Sequence, residues 1–292
     1  MITDQLTHQR PDTFEPHILD DDSLAPLEAI ARAEALLDRA EVLTRLLADD
    51  DGYEPAELNF ELPFRFKLSV VIPVYNEERT ISRVLARVKA LPLNTEVIVI
   101  NDCSTDGTKK VLDDLAFPLR LEVIHMPMNQ GKGAALRTGF RHATGDIVAV
   151  QDADLEYDPR DILPLLQPIL AKEADVVYGS RFLTQKPKHS SLLHRLGNGI
   201  LTGTSNLLTG LKLTDMETCY KVFRRDVLSK FEIQQNRFGF EPEVTAKLAR
   251  RKCRIVERPI HYAARSYAEG KKIGVKDLCN AIWCIVRYGI AD

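Results

Sequence analysis

From Lys67 onward, short apolar runs alternate with longer amphipathic stretches. Leu68–Ile72, Glu96–Ile100, Leu121–His125, Ile147–Val150 and Asp175–Tyr178 read as strands, each followed by a polar turn. The spans between them, about 77–90, from 106 and 131–143, carry helical patterning. Strands separated by helices of this length predict an α/β domain built on a parallel, doubly wound sheet. Ligands of such sheets sit beyond the carboxyl ends of the strands, so the turns there hold the candidate chemistry.

Outside this region the pattern is more helical. Ser23 is a fair N-cap for a helix reaching about Ala48, with Leu27, Ile30, Leu36, Leu37, Leu43, Leu46 and Leu47 at helical spacing. This helix can pack on the main domain or pair two subunits into a homo-oligomer. Leu192–Leu213 is amphipathic, and a core helix is its commoner explanation; a groove for an acyl or prenyl chain is the sharper one. A helix follows Phe238–Glu243, Arg254–Tyr262 reads as a strand, and a basic helix with Trp283, Arg287 and Tyr288 closes the chain.

Charge divides the 292 residues into two parts. Residues 1–66 hold 16 acidic and 5 basic side chains, and residues 67–292 hold 26 and 34. The first part reads as an acidic extension and the second as the working domain. Its mild positive balance suits a phosphate-bearing partner and is too small for nucleic acid. The five cysteines show no metal spacing and read as reduced thiols. Met1–Asp22 is polar and acidic rather than a secretory signal, and no apolar run has membrane-span length. The expectation is a cytoplasmic protein, at most peripheral at a membrane face.

Gln151-Asp152-Ala153-Asp154 ends the fourth strand, with Glu156 close behind and Pro159 opening the next helix. Residues two apart in extended chain point the same way, so Asp152 and Asp154 converge at the strand end. Paired carboxylates call for a cation, and Mg²⁺ or Mn²⁺ takes one or two of them plus substrate phosphate oxygens. The bland alternative is a solvated acidic turn. Pro73 and Tyr75 offer flat apolar surface for a base ring, and Asp102 can accept from a ring N–H or a ribose hydroxyl. Asp106 reads as a helix cap. Asn129-Gln-Gly-Lys-Gly133 meets neither the P-loop nor the dinucleotide fingerprint; its glycines suit a tight helix entry, with Lys132 either near donor charge or solvated. Arg181 can grip a phosphate through its fork. Arg265–Lys272 is a basic, glycine-punctuated loop of the kind a departing diphosphate needs.

Taken together, Pro73-Val-Tyr-Asn-Glu77, Asn101–Thr108, Asn129–Gly133, Asp152-Ala-Asp-Leu-Glu156, Gly179-Ser-Arg181 and Arg265–Lys271 resemble, in order, the motifs of family 2 inverting glycosyltransferases. The likeness covers roughly residues 67–290 and leans toward the branch of dolichyl-phosphate mannose synthase and bacterial polyprenyl-phosphate glycosyltransferases. It implies a Rossmann-like, glycosyltransferase A type fold and a UDP- or GDP-sugar donor. Pro73, Tyr75, Glu77 and Asp102 then fall at nucleoside contacts, and Asp152 and Ala153 at donor contacts. Asp154 and Glu156 fall at the Mg²⁺ or Mn²⁺ ligands, while Arg181, Arg265 and Lys271 fall at phosphate-binding positions. The implied acceptor is a polyprenyl phosphate at an anionic membrane surface. A hydroxyl acceptor would instead want a general base, for which Glu217, Glu241 and Glu243 are the candidates. A third reading is a nucleotide-binding regulatory protein without turnover.

Overall fold

Seven strands build one sheet in the order β3-β2-β1-β4-β6-β5-β7. They are β1 (Leu68–Val74), β2 (Thr95–Asn101), β3 (Leu121–His125), β4 (Ile147–Val150), β5 (Val176–Ser180), β6 (Lys221–Arg224) and β7 (Ile255–Pro259). The structure is a computed structural model describing residues 25–48, 50, 53–183, 192–264 and 275–290. The helices are α1 (Ala25–Ala48), α2 (Ile81–Lys89), α3 (Thr108–Leu119), α4 (Lys132–His142), α5 (Ile162–Leu170), α6 (Leu192–Thr209), α7 (Arg225–Leu228), α8 (Phe240–Arg250) and α9 (Val275–Ile290).

All pairings are parallel except those of β6, which runs antiparallel between β4 and β5. The sheet is therefore mostly parallel, as the strand–helix alternation predicts, but mixed at one strand. β1 and β4 are covered on both faces, and Val70, Val71, Ile72, Val148 and Ala149 are wholly buried. That explains their continuous apolar runs. Burial of each such valine or isoleucine contributes roughly 1.5–3 kcal/mol.

The acidic extension is bound to this core. α1 packs on α2 and α3 through Val42 and Leu46, and Ala56, Leu58, Phe60 and Leu62 lie against the core behind it. Buried Asp50 receives two bonds from Arg87, at 2.5 and 2.8 Å. The ring of Tyr53 lies 4.9 Å from both the Arg87 and the Arg160 guanidinium. Burial, with Asp158 nearby, pushes the Tyr53 phenol up to about 12. Arg160 also pairs with Asp158, which caps the 3₁₀ turn Pro159–Asp161 just past the Asp152–Glu156 loop.

α6 departs from the core-helix expectation. Asn198, Thr202 and Ser205 are buried, while Leu196, Ile200 and Leu207 are 61, 52 and 83% exposed. Its polar face meets protein and much of its apolar face looks outward, the reverse of an ordinary surface helix. α9 packs on α6 and α8, with Ile285 buried and Trp283 half-exposed. Tyr288 is buried, and its hydroxyl is bonded to Gln234 and Gln235.

Candidate active site

The turns after β1, β2, β3 and β4 meet along the carboxyl edge of the sheet, where the sequence motifs lie. The first two are clasped together. Asn76 and Cys103 adopt positive φ, which asparagine tolerates and cysteine rarely does. Asn76 Oδ1 accepts from Thr105 N–H at 2.8 Å, and Ser104 Oγ accepts from Asn76 N–H at 3.0 Å. Asp106 accepts from the backbone N–H of Thr108 and of Glu78, and stands one residue before Gly107, the N-cap of α3. Tyr75 stands 47% exposed at this edge, with Pro73 and Glu77 beside it. Thr80 then ties the first turn to the fourth, donating 2.7 Å to Glu77 Oε2 and 3.0 Å to Ala153 O.

Asp102 is only 3% exposed, and its two carboxylate oxygens accept from Gln130 N–H (2.8 Å) and Gly131 N–H (2.7 Å). Its visible work is to hold the loop that opens α4. Gly131 has φ +98°, and a Cβ on Gly133 would sit 2.2 Å from the Gln235 carbonyl oxygen. Both glycines serve a close approach of this loop to residues 234–237, as the helix-entry reading expects.

Lys132 is not simply solvated. Its ammonium lies 3.0 Å from Asp152 Oδ1 and 3.2 Å from Glu241 Oε1, joining the end of β4 to the start of α8. Burial works against its charge, but Asp152 and Glu241 hold its pKa well above the usual value. Asp154 and Glu156 are also buried. The Glu156 backbone N–H reaches Asp154 Oδ1 at 3.3 Å, and Tyr262 OH donates to Glu156 Oε2 at 2.9 Å. Among the described residues no three metal-ligating side chains form a ready cage. A Mg²⁺-type ion needs only one or two protein carboxylates, so Asp154 with Glu156 fits such an ion when a diphosphate supplies the other oxygens.

Arg181 is paired within the protein. It is buried, and Asp215 engages its fork at 2.7 Å to both Nε and Nη2. That pairing ties the guanidinium to the end of β5. Arg265 and Lys271 lie outside the described residues. Of the three glutamates, Glu243 accepts from Gln234 N–H and Gln235 N–H, each at 2.7 Å, and pairs with Lys247. It is a loop anchor rather than a base. Glu241 stays at the edge on Lys132. Glu217 lies in the turn before β6, where burial and then the charge of Glu241 push its pKa up. Sequence reasoning passed over Thr80 and Tyr262. Each acts through a partner far along the chain, which local pattern does not reveal.

The family model for glycosyl transferase family 2 matches residues 69–231, the strands and turns that build this edge. The chain belongs to glycosyl transferase family 2. This glycosyltransferase is 31% identical over 225 residues to an undecaprenyl-phosphate 4-deoxy-4-formamido-L-arabinose transferase of Aeromonas hydrophila, across 75% of its own length and 66% of the relative's. It is 29% identical over 237 residues to an undecaprenyl-phosphate mannosyltransferase of Micrococcus luteus, across 77% of its length and 95% of that protein. The fold is shared with glucosyl-3-phosphoglycerate synthase of Mycobacterium tuberculosis in complex with Mn²⁺, UDP and phosphoglyceric acid. That likeness has a TM-score of 0.60 at 19% identity and covers 78% of this chain and 80% of that one. Mannosyl-3-phosphoglycerate synthase of Rubrobacter xylanophilus gives a TM-score of 0.59 at 17% identity, covering 76 and 72%.

Proposed function

We propose that this glycosyltransferase moves a sugar from a UDP- or GDP-sugar to a polyprenyl phosphate, with inversion at the anomeric carbon. The observation that carries the donor half is the gathering of Tyr75, Asp102, the Gly131 loop and Asp152–Glu156 along one sheet edge. Tyr75 and Pro73 flank the base, while Asp102 shapes the pocket by fixing the Gly131 loop. Asp154, with Glu156, holds Mg²⁺ or Mn²⁺, which when bound neutralises charge on the donor diphosphate. Arg265 and Lys271 are assigned to the departing diphosphate on the family resemblance alone.

The acceptor half rests on the undecaprenyl-phosphate relatives and on the surface. A phosphate is already an anion at neutral pH and attacks without a general base. That agrees with Glu243 being closed by Lys247 and two backbone N–H groups. Leu196, Ile200 and Leu207 of α6 lie exposed, as do Trp283, Val286 and Ile290 of the adjoining α9. Arg287 sits 5.0 Å over the Trp283 ring. An indole with a neighbouring cation beside outward leucines suits the interface of an anionic bilayer. Among the described residues no helix is long and apolar enough to cross a membrane, so the contact proposed is peripheral.

The test supplies UDP- and GDP-sugars with Mn²⁺ and undecaprenyl phosphate in anionic vesicles. Transfer to the lipid, together with co-sedimentation that weakens with salt, is expected. Transfer only to a water-soluble hydroxyl compound would replace the acceptor. Nucleotide binding without turnover of any donor would favour a regulatory protein.

A further inference from the structure

Four buried side-chain atoms among the described residues have no hydrogen-bond partner in the protein: Asn198 Oδ1, Glu217 Oε1, Thr218 Oγ1 and Glu241 Oε2. Leaving a buried polar atom unpaired is costly, so such atoms are few in native proteins. They lie on neighbouring elements: α6, which packs on α8, the turn before β6, and the first turn of α8. Glu217 and Thr218 share the turn before β6, held from below by Lys221, whose ammonium donates to Met216 O at 3.0 Å and Thr218 O at 2.5 Å. The carboxylate of Glu241 acts electrostatically on both Glu217 and Lys221. Asn198 comes from α6, where Thr202, one turn on, accepts from Met216 N–H at 3.1 Å.

The orientation of α6 is the second, independent observation. Asn198, Thr202 and Ser205 are 7, 4 and 2% exposed, while leucines of the same helix face outward. Thr202 meets the Met216 amide. The Asn198 carbonyl oxygen is left over. A helix that turns its polar side inward needs polar partners there.

We propose that Asn198, Glu217, Thr218 and Glu241 form a subsite that reads the hydroxyl groups of the transferred sugar. This rests on the nucleotide-sugar reading above. The unpaired atoms are carboxyl, amide and hydroxyl oxygens, with no unpaired N–H among them. Their complement is a ring bearing several O–H donors. An anion would be repelled by the carboxyl groups. A cation is superfluous, because the Lys132 ammonium already pairs with Glu241, and that of Lys221 lies beneath the turn. The subsite therefore selects a donor sugar that keeps its ring hydroxyls. The same chemistry has a second source, a hydroxylated acceptor, which the experiment separates.

Thr218→Val removes one unpaired hydroxyl at constant shape, and Asn198→Leu removes the amide should the first variant fold poorly. Calorimetry with Mn²⁺ compares UDP with UDP-glucose and GDP with GDP-mannose in the full chain. Each variant should bind the bare diphosphate within about twofold of the parent, and lose roughly three- to tenfold for the sugar-bearing nucleotide. Without ligand it should melt no lower than the parent, because an unpaired buried polar group has gone. Equal losses for diphosphate and nucleotide sugar would overturn the proposal, as would unchanged sugar binding with a lowered melting point. Intact donor binding with a raised KM for a hydroxylated acceptor would move the subsite to the acceptor and overturn its assignment to the donor. Failure of the parent to bind any of the four nucleotides would remove the underlying reading instead.

Discussion

At the ends of β1 and β2, polar side chains are engaged with backbone N–H groups and with one another: Asn76 with Thr105, Asp102 with Gln130 and Gly131, Asp106 with Thr108. Across the ends of β4 and β6 and the start of α8 the arrangement differs. There carboxylates are buried against ammonium groups, and Glu217 and Glu241 each keep an oxygen without a protein partner. The first region is a finished piece of backbone architecture, its polar groups spent on one another. The second holds charge and unspent hydrogen-bonding capacity, which is what changing substrate groups require. Rigidity and reactivity are thus divided along a single sheet edge.

The largest effect should come from the charged region. Asp154→Asn is expected to abolish metal-dependent transfer, by three orders of magnitude or more on the order-of-magnitude scale of lost electrostatic stabilisation. The fold should stay intact by circular dichroism and melting. Activity within tenfold of the parent would mean that the two regions do not divide their labour at Asp154.

Lys132→Met probes the ammonium shared by Asp152 and Glu241. Removing one partner leaves two largely buried carboxylates with less counter-charge, a loss of roughly 3 kcal/mol in urea unfolding. Adding Glu241→Gln should restore part of it, because residues of one network couple. Strictly additive losses would show that the ion pairs are independent of each other.

The smallest effect lies on the architectural side, at the opposite end of the strands. Burial raises the pKa of Glu96, but bonds from Lys67, Ser69 and Thr144 outweigh it and bring it down to about 2. The folded value lies below the ordinary 4.5, so the stabilisation is complete above that pH and is lost as pH falls toward 2. Glu96→Gln should unfold at lower urea than the parent at pH 7, and the difference should close across that acid window. A difference that persists unchanged at low pH would assign it to packing.

The strands and the turn chemistry were legible because both are local. Apolar runs mark β1 and β4, and Asp152-Ala-Asp154 stands out as two carboxylates just past β4. β6 escaped notice because Lys221-Val-Phe-Arg224 is four residues long and flanked by cations. Nothing in the chain near Lys221 says that its ammonium is buried on two carbonyl groups. The pairing of Arg181 with Asp215 was hidden because the two are far apart along the chain and adjacent only in space. For α6, periodicity revealed two faces without saying which medium each would meet. Hydrophobic spacing assumes that polar faces seek water, and here the polar face meets protein.

The insertion of β6 between β4 and β5 also orders the protein's birth. A ribosome delivers β4 well before β6, and until Arg224 has emerged β4 has one edge without a partner. The loop that follows β4 depends on the same late arrival. Tyr220 donates to Gln151 at 2.6 Å, and the Cys219 N–H donates to the Tyr157 hydroxyl at 3.3 Å. A nascent chain can thus lay down β1, β2 and β3 and their clasped turns early, while the carboxylate loop takes its final shape only after β6 docks. A chain stalled before β6 would present an open strand edge to its neighbours.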